Sequence, residues 1–173
     1  MIVSTITFKR NLFLTSGTLD DMATTWLSAS EMRAWRNFIE SIGTLTAAME
    51  NDIASYGLTM GDYEVLVRLS EAEDQRLRMC DLSTALHLSP SGLTRRLDGL
   101  VSTGLVERVA SPSDRRVMFA ALTHAGQAKL DAAAPDHVAS VRRRFLKGLS
   151  RDQVRTLGDI FETVRANVTA CPS

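Results

Sequence analysis

Apolar side chains recur every three or four residues over long stretches of this chain, the spacing of helices with one buried face. Trp35, Phe38, Ile39, Ile42, Leu45, Met49 and Ile53 form the first stripe. Ser28-Ala-Ser-Glu31 precedes it as a capping box, and it ends near Tyr56-Gly57, where glycine accepts the left-handed C-cap conformation. A second helix opens at Thr59-Met-Gly-Asp62 and carries Tyr63, Leu66, Val67 and Leu69; the EAEDQR after it reads as a solvated connection. A short third helix covers about Met79 to Leu86, and His87-Leu88 turns the chain into a fourth. There Ser89 is the N-cap, Pro90 suits the first helical position, Leu88 can staple onto Leu93, and Leu93, Leu97, Leu100 and Val101 form the inward stripe.

After Gly104 the period changes. LVERVA and RVMFAAL are short and partly alternating, with SPSDR between them, which predicts a β-hairpin with a polar tip. Thr123 caps a fifth helix that Pro135 kinks or breaks before it resumes to Leu149. Ser150-Arg-Asp-Gln153 opens a last helix bearing Val154, Leu157, Ile160, Phe161, Val164 and Val168. The fold expected is mainly α with a small β-hairpin wing: a winged helix-turn-helix between N- and C-terminal helices with more apolar surface than one small domain buries. Residues 59–122 would form the winged-helix lobe, with 26–56 and 123–170 as the flanking helices. Residues 1–21 show no helical periodicity and read as a disordered arm or an over-long start, leaving 22–173 as a single domain.

Composition narrows the classes. A chain of 173 residues with 45% hydrophobic content fits one domain with a sizeable core. No apolar run approaches the roughly 18–20 residues of a membrane span, and Cys80 and Cys171 make no disulfide framework, so a cytoplasmic protein is expected. Cys80 reads as a packing residue rather than a redox sensor. His87, His124 and His137 lie far apart without ligand spacing, so no metal and no cofactor are expected. No glycine-rich phosphate loop, nucleophile elbow or paired carboxylates stand out, which argues against an enzyme. The formal net charge is +0, but acidic residues dominate from Leu19 to Gln75 and basic ones from Arg76 to Arg116. The Arg142-Arg143-Arg144 run reads as a solvated face open to acidic groups of a partner chain.

With the leucines inward, the fourth helix turns Ser91, Thr94, Arg95 and Asp98 outward and Arg96 to one flank. Short polar residues and arginine near a helix N-terminus suit entry into a major groove, and Gly92 suits close approach. A solvated face without a partner has the same pattern. The hairpin tip favours DNA: Arg115 and Arg116 project as cations, with Asp114 placed to hold the Arg116 guanidinium.

These residues carry a resemblance. DLS-x-x-L, LSPSGLTRRLDGL, GLVER, D-R-R and LT-x-x-G, in that order, resemble the core of the MarR family of bacterial winged-helix transcription regulators. The resemblance implies a homodimer whose terminal helices interlock and which reads a pseudo-palindromic operator in double-stranded DNA, usually as a repressor. It maps the polar recognition positions to Ser91, Thr94 and Arg95 and the wing to Asp114 and Arg116; Ser89, Arg96 and Arg115 complete the candidate DNA-binding set. It also implies a small-molecule effector, commonly an aromatic anion, for which Trp35, Tyr56, Tyr63 and Arg68 come from the right regions, as does Trp26. The competing function is a winged-helix dimer serving as a protein–protein or sensor module without specific DNA binding.

Overall fold

A computed structural model describes residues 26–111, 114 and 116–170. The expected N-terminal arm, Arg115 and Cys171 lie outside the described residues. The chain divides after Phe38 into two units. In the first, the Ser28 backbone N–H donates to Glu31 Oε2 at 2.7 Å and the Glu31 N–H to Ser28 Oγ at 3.4 Å, the reciprocal box expected there. It opens helix α1 (Ala29–Ala54), and Trp35 and Phe38 on it pack with ring centroids 6.0 Å apart.

The second unit holds the rest of the fold. Helix α2 (Met60–Ser70) starts on a complete Thr59–Asp62 capping box. A 3-10 turn, Glu73–Gln75, leads into strand β1 (Arg76–Arg78), then helices α3 (Met79–Ala85) and α4 (Pro90–Ser102). Strands β2 (Val106–Ala110) and β3 (Met118–Leu122) form the hairpin, and helices α5 (His124–Val141) and α6 (Arg151–Ala170) complete the chain. The sheet order is β1-β3-β2, antiparallel throughout, with Leu77 opposite Ala120 on one side and Arg108 opposite Ala120 on the other.

Three local expectations are corrected. Cys80, expected as a packing residue, is exposed at the start of α3 with its Sγ 3.4 Å from Asp81 Oδ1. The EAEDQR segment is more than a connection: Asp74 and Gln75 adopt left-handed backbone with φ 53°, and the chain then pairs with β3 as a third strand. Helix α5 also runs through Pro135 to Val141 and continues as a π turn, Arg142–Leu146. Proline removes one N–H from the helical ladder, and here the surrounding turns keep the helix together.

The core draws most heavily on α2 and α4, with fewer side chains from α1, α3, α5 and the hairpin. Ile53, Leu66, Leu69, Leu82, Leu93, Leu97, Val106, Ala120, Leu130 and Ala133 pack into one buried cluster. Helix α6 contributes no buried residue among those described. Val154, Ile160, Val164 and Val168 along it are exposed, as are Leu27 and Trp35 in the first unit and Ile39 and Ile42 at the start of the second.

Arg144, on the π turn, donates through Nη1 to the buried Ser140 hydroxyl at 2.6 Å and to the Ala48 carbonyl at 3.1 Å, and forms an ion pair with Asp52. The arginine run therefore has a partner within its own chain, not only solvent or a second chain. The Arg144 guanidinium, with help from Ser140, holds the Asp52 carboxyl below the usual carboxylate range.

Candidate nucleic-acid interface

Helix α4 is fixed at its start and along its inner face by its own residues. Ser89 Oγ accepts the Gly92 N–H at 3.1 Å, and Pro90 occupies the first turn, where a missing N–H costs nothing. The turn into it is a Schellman ending of α3: the Leu88 N–H donates to the Ser83 carbonyl at 2.9 Å and the His87 N–H to Thr84 at 3.1 Å. His87 takes the left-handed position with φ 53°. Leu93, Leu97 and Leu100 bury the inner face.

On the outer face Ser91, Thr94, Arg95 and Asp98 are all exposed, as is Ser89 at the cap. Ser91 and Ser89 share a hydrogen bond of 3.2 Å, and the Thr94 hydroxyl donates back to the Pro90 carbonyl at 2.9 Å. Both hydroxyls keep lone pairs free to accept. Arg95 makes no hydrogen bond or ion pair with any described residue, so its charge is uncommitted. Gly92 has a local reason besides approach: a Cβ there would press on Ser89 Oγ at 3.2 Å.

Arg96 is placed differently from its neighbours. It is half-buried, and its guanidinium lies over Gly61 in α2, where an added Cβ would overlap it. Arg95, Arg96, Gly61, Asp62 and Glu50 line an open groove of about 710 Å³.

At the wing, Asp114 Oδ1 accepts the backbone N–H of Arg116 at 2.9 Å, and the Val117 N–H donates to the Asp114 carbonyl at 2.9 Å. Asp114 therefore holds the main chain of the turn. The grip on the Arg116 guanidinium expected from the sequence is not among its hydrogen bonds to described residues. Asp114 and Arg116 are both exposed.

Sequence reasoning missed two partners of this surface. Arg108 in β2 reaches back to α4, with Nη2 2.7 Å from Asp98 Oδ1. The signal was a lone carboxylate on an otherwise neutral or basic helix face, ten residues before an outward arginine on the next strand. Gly61 beneath Arg96 carried no sequence signal.

The effector candidates come from several elements, and Tyr56 and Tyr63 meet neighbouring residues of α5, Asp136 and His137. Tyr56 donates to Asp136 Oδ2 at 2.5 Å, which raises its own pKa. Tyr63 is buried, and burial raises its pKa. Arg68 is exposed at the end of α2, and Trp35 and the exposed Trp26 belong to the first unit. An open groove of about 570 Å³ is lined by Glu40, Thr44, Leu45 and Arg144, and includes none of these candidates.

A family model described as MarR family matches residues 58–118. The chain is 27% identical over 140 residues to the HTH-type transcriptional repressor YetL of Bacillus subtilis (strain 168), covering 79% of this chain and 83% of that protein. It superposes on the crystal structure of AbsC, a MarR family transcriptional regulator from Streptomyces coelicolor, with a TM-score of 0.82 and 40% identity over 86% of this chain and 100% of the other. Sco3205, a MarR family transcriptional regulator from the same organism solved in complex with DNA, gives a TM-score of 0.80 and 34% identity over 86% of this chain and 96% of the other. Order of elements, motif and similarity over most of the chain agree: this chain belongs to the MarR family of transcriptional regulators.

Proposed function

We propose that this regulator binds double-stranded DNA as a homodimer, with α4 of each subunit in a major groove and the wing tip at the flanking minor groove. The observation that carries the reading is the outer face of α4. Ser91, Thr94 and Arg95 are exposed together at the amino-terminal half of a helix whose cap and inner face are already satisfied. An uncommitted guanidinium there can donate to guanine O6 and N7 at once. Arg116 on the wing supplies a second exposed cation, and Arg115 and Ser89 would meet phosphate.

Residues 59–122 serve as the DNA-binding lobe and residues 26–56 and 123–170 as dimerisation helices. The exposed apolar side chains of α1 and α6, Trp35, Ile42, Ile160 and Val164 among them, support that division. Left in water they forgo about 25 cal/mol for every Å² that a partner would cover. The pair of subunits would read a pseudo-palindrome with half-sites about one helical turn apart. A small-molecule effector shifts the spacing of the two lobes by binding one arrangement better than the other; Tyr56 and Arg68 are the more accessible of its candidate contacts within the second unit. Repression, as in the name of the YetL relative, is the mode of action. The protein acts in the bacterial cytoplasm and has no catalytic step of its own; no described helix is long and apolar enough to cross a membrane.

The test is fluorescence anisotropy of the purified chain on DNA flanking its own gene and on scrambled DNA, across several salt concentrations, with genomic fragment selection if that site is not the operator. Selective binding that weakens steeply with salt supports the reading. Equal weak binding to every fragment, with no palindrome enriched, overturns it.

A further inference from the structure

Asp98 is out of place on the surface just described. It stands exposed on the same side of α4 as Thr94 and Arg95, where an approaching polyanion meets it as like charge. Its contacts resolve the conflict. Arg108 Nη2 donates to Asp98 Oδ1 at 2.7 Å and also to the Thr94 main-chain carbonyl at 3.2 Å. Thr94 and Asp98 are four residues apart, so one guanidinium nitrogen spans a single turn of the helix and neutralises its carboxylate.

Arg108 is itself held in place. Its strand pairs with β3, where Arg108 lies opposite the fully buried Ala120, and the strand begins at the buried Val106. The tie therefore joins two stiff bodies, a capped helix and a hydrogen-bonded hairpin. Its side chains are 31% exposed for Arg108 and 57% for Asp98, the range in which an ion pair adds little to folding stability. What the tie does fix is direction. A helix and a wing that must enter two grooves together bind well only if their separation is set beforehand.

We propose that Asp98 and Arg108 are a pair of positioning residues that locks the wing to the recognition helix, and that sequence discrimination by this regulator depends on the lock rather than on DNA contacts of either side chain. The proposal rests on the DNA-reading function above. It makes the aspartate an asset to DNA binding in spite of its sign.

That reversal of sign is the test. Asp98→Asn removes a negative charge from the DNA-facing side, so charge counting expects tighter binding. The lock expects the opposite: at least a threefold loss of affinity for the fragment the wild-type chain selects from genomic DNA. Affinity for scrambled DNA should change less, so the ratio of the two falls. Arg108→Gln should lower the same ratio, Arg108→Lys should restore most of it, and the double variant D98N/R108Q should lose no more than R108Q alone. Thermal melting of each variant shows that the fold survives, and a melting temperature within a few degrees of wild type is expected.

Outcomes separate cleanly. If wild type selects no sequence, the DNA-reading function fails and the lock fails with it. If wild type is selective, yet D98N binds the selected fragment as tightly or more tightly with its ratio intact, the lock alone is overturned. Additive losses in the double variant overturn it as well. Should D98N melt early, the comparison of R108Q with R108K decides instead: a ratio restored by lysine supports the lock, and equal ratios in the two variants overturn it.

Discussion

The imidazole of His137 in α5 lies against the ring of Tyr63 in α2, with centroids 4.7 Å apart and planes 46° from parallel. Its Nδ1 is buried with no hydrogen-bond partner among the described residues. Burial holds the His137 pKa below its ordinary value, while the nearby Asp52 carboxylate pulls the other way. The neutral ring is therefore the form that the packed state prefers.

The pH dependence follows from that direction. Because the folded pKa is the lower one, the unfolded chain binds more protons as the pH falls below about 6.5. Stability is complete above that value and declines as pH drops from there through the lowered folded pKa. Melting temperatures at pH 7.5 and pH 5.5 should differ more for wild type than for His137→Gln, which has no proton to gain. The contribution of Asp52 runs in the same direction but later, since Arg144 keeps its carboxyl ionised to lower pH. Equal shifts in the two proteins would show that His137 is not the titrating group.

Arg95→Ala should weaken binding to the operator by about 1–3 kcal/mol and relax the preference at one base position of each half-site. Anisotropy on a set of single-base operator variants measures both effects. A uniform loss across all bases would assign Arg95 to phosphate.

Asp114→Ala should also weaken binding, although it deletes a negative charge from the wing. The carboxylate fixes the Arg116 main chain through its N–H, and without it the arginine must be ordered at the moment of docking. An affinity that rises instead, at any salt concentration, would show that Asp114 acts only through its charge.

Gly61→Ala tests the flank. The new methyl group occupies the place of the Arg96 guanidinium, the far end of a flexible side chain, so the arginine swings away from α2. Alanine in a helix gains about 0.5–1 kcal/mol over glycine, which offsets the lost packing, and the melting temperature should hold. The freed cation should steepen the slope of log affinity against log salt by about one. An unchanged slope would place Arg96 outside the interface.

Much of this molecule was legible in its sequence because the responsible interactions are local. The boxes at Ser28–Glu31 and Ser150–Gln153 join residues three apart and form as read, and the helix start read at Thr59 proves to be a third box, with Asp62. The leucine stripe of α4 and the period change after Gly104 likewise predicted the helix and the hairpin. Strand β1 was illegible: the alternation of Arg76, Leu77 and Arg78 spans only three residues, too few to mark a strand until β3 offers them a ladder. The π turn after α5 differs from an α-helix in hydrogen-bond register and not in composition. At the candidate site the exposed side chains could be named in advance, since the helical period alone turns them outward. Their partners could not. Asp98 gave a hint of Arg108 as a lone carboxylate, but Gly61 under Arg96 and, outside the site, Arg144 with Asp52 meet across intervals of chain that only the finished packing closes.

The central place of β3 in the sheet gives the wing a mechanical character. A hairpin attached by one ladder can swing about its base, but β3 is gripped on both edges, and β1 runs straight into the first helix of the helix-turn-helix. Torque applied at the base of the wing is therefore passed to α3 rather than lost in a hinge, and a push on α3 is returned to the wing. The two parts proposed to face DNA share a fulcrum, so whatever tilts one re-aims the other.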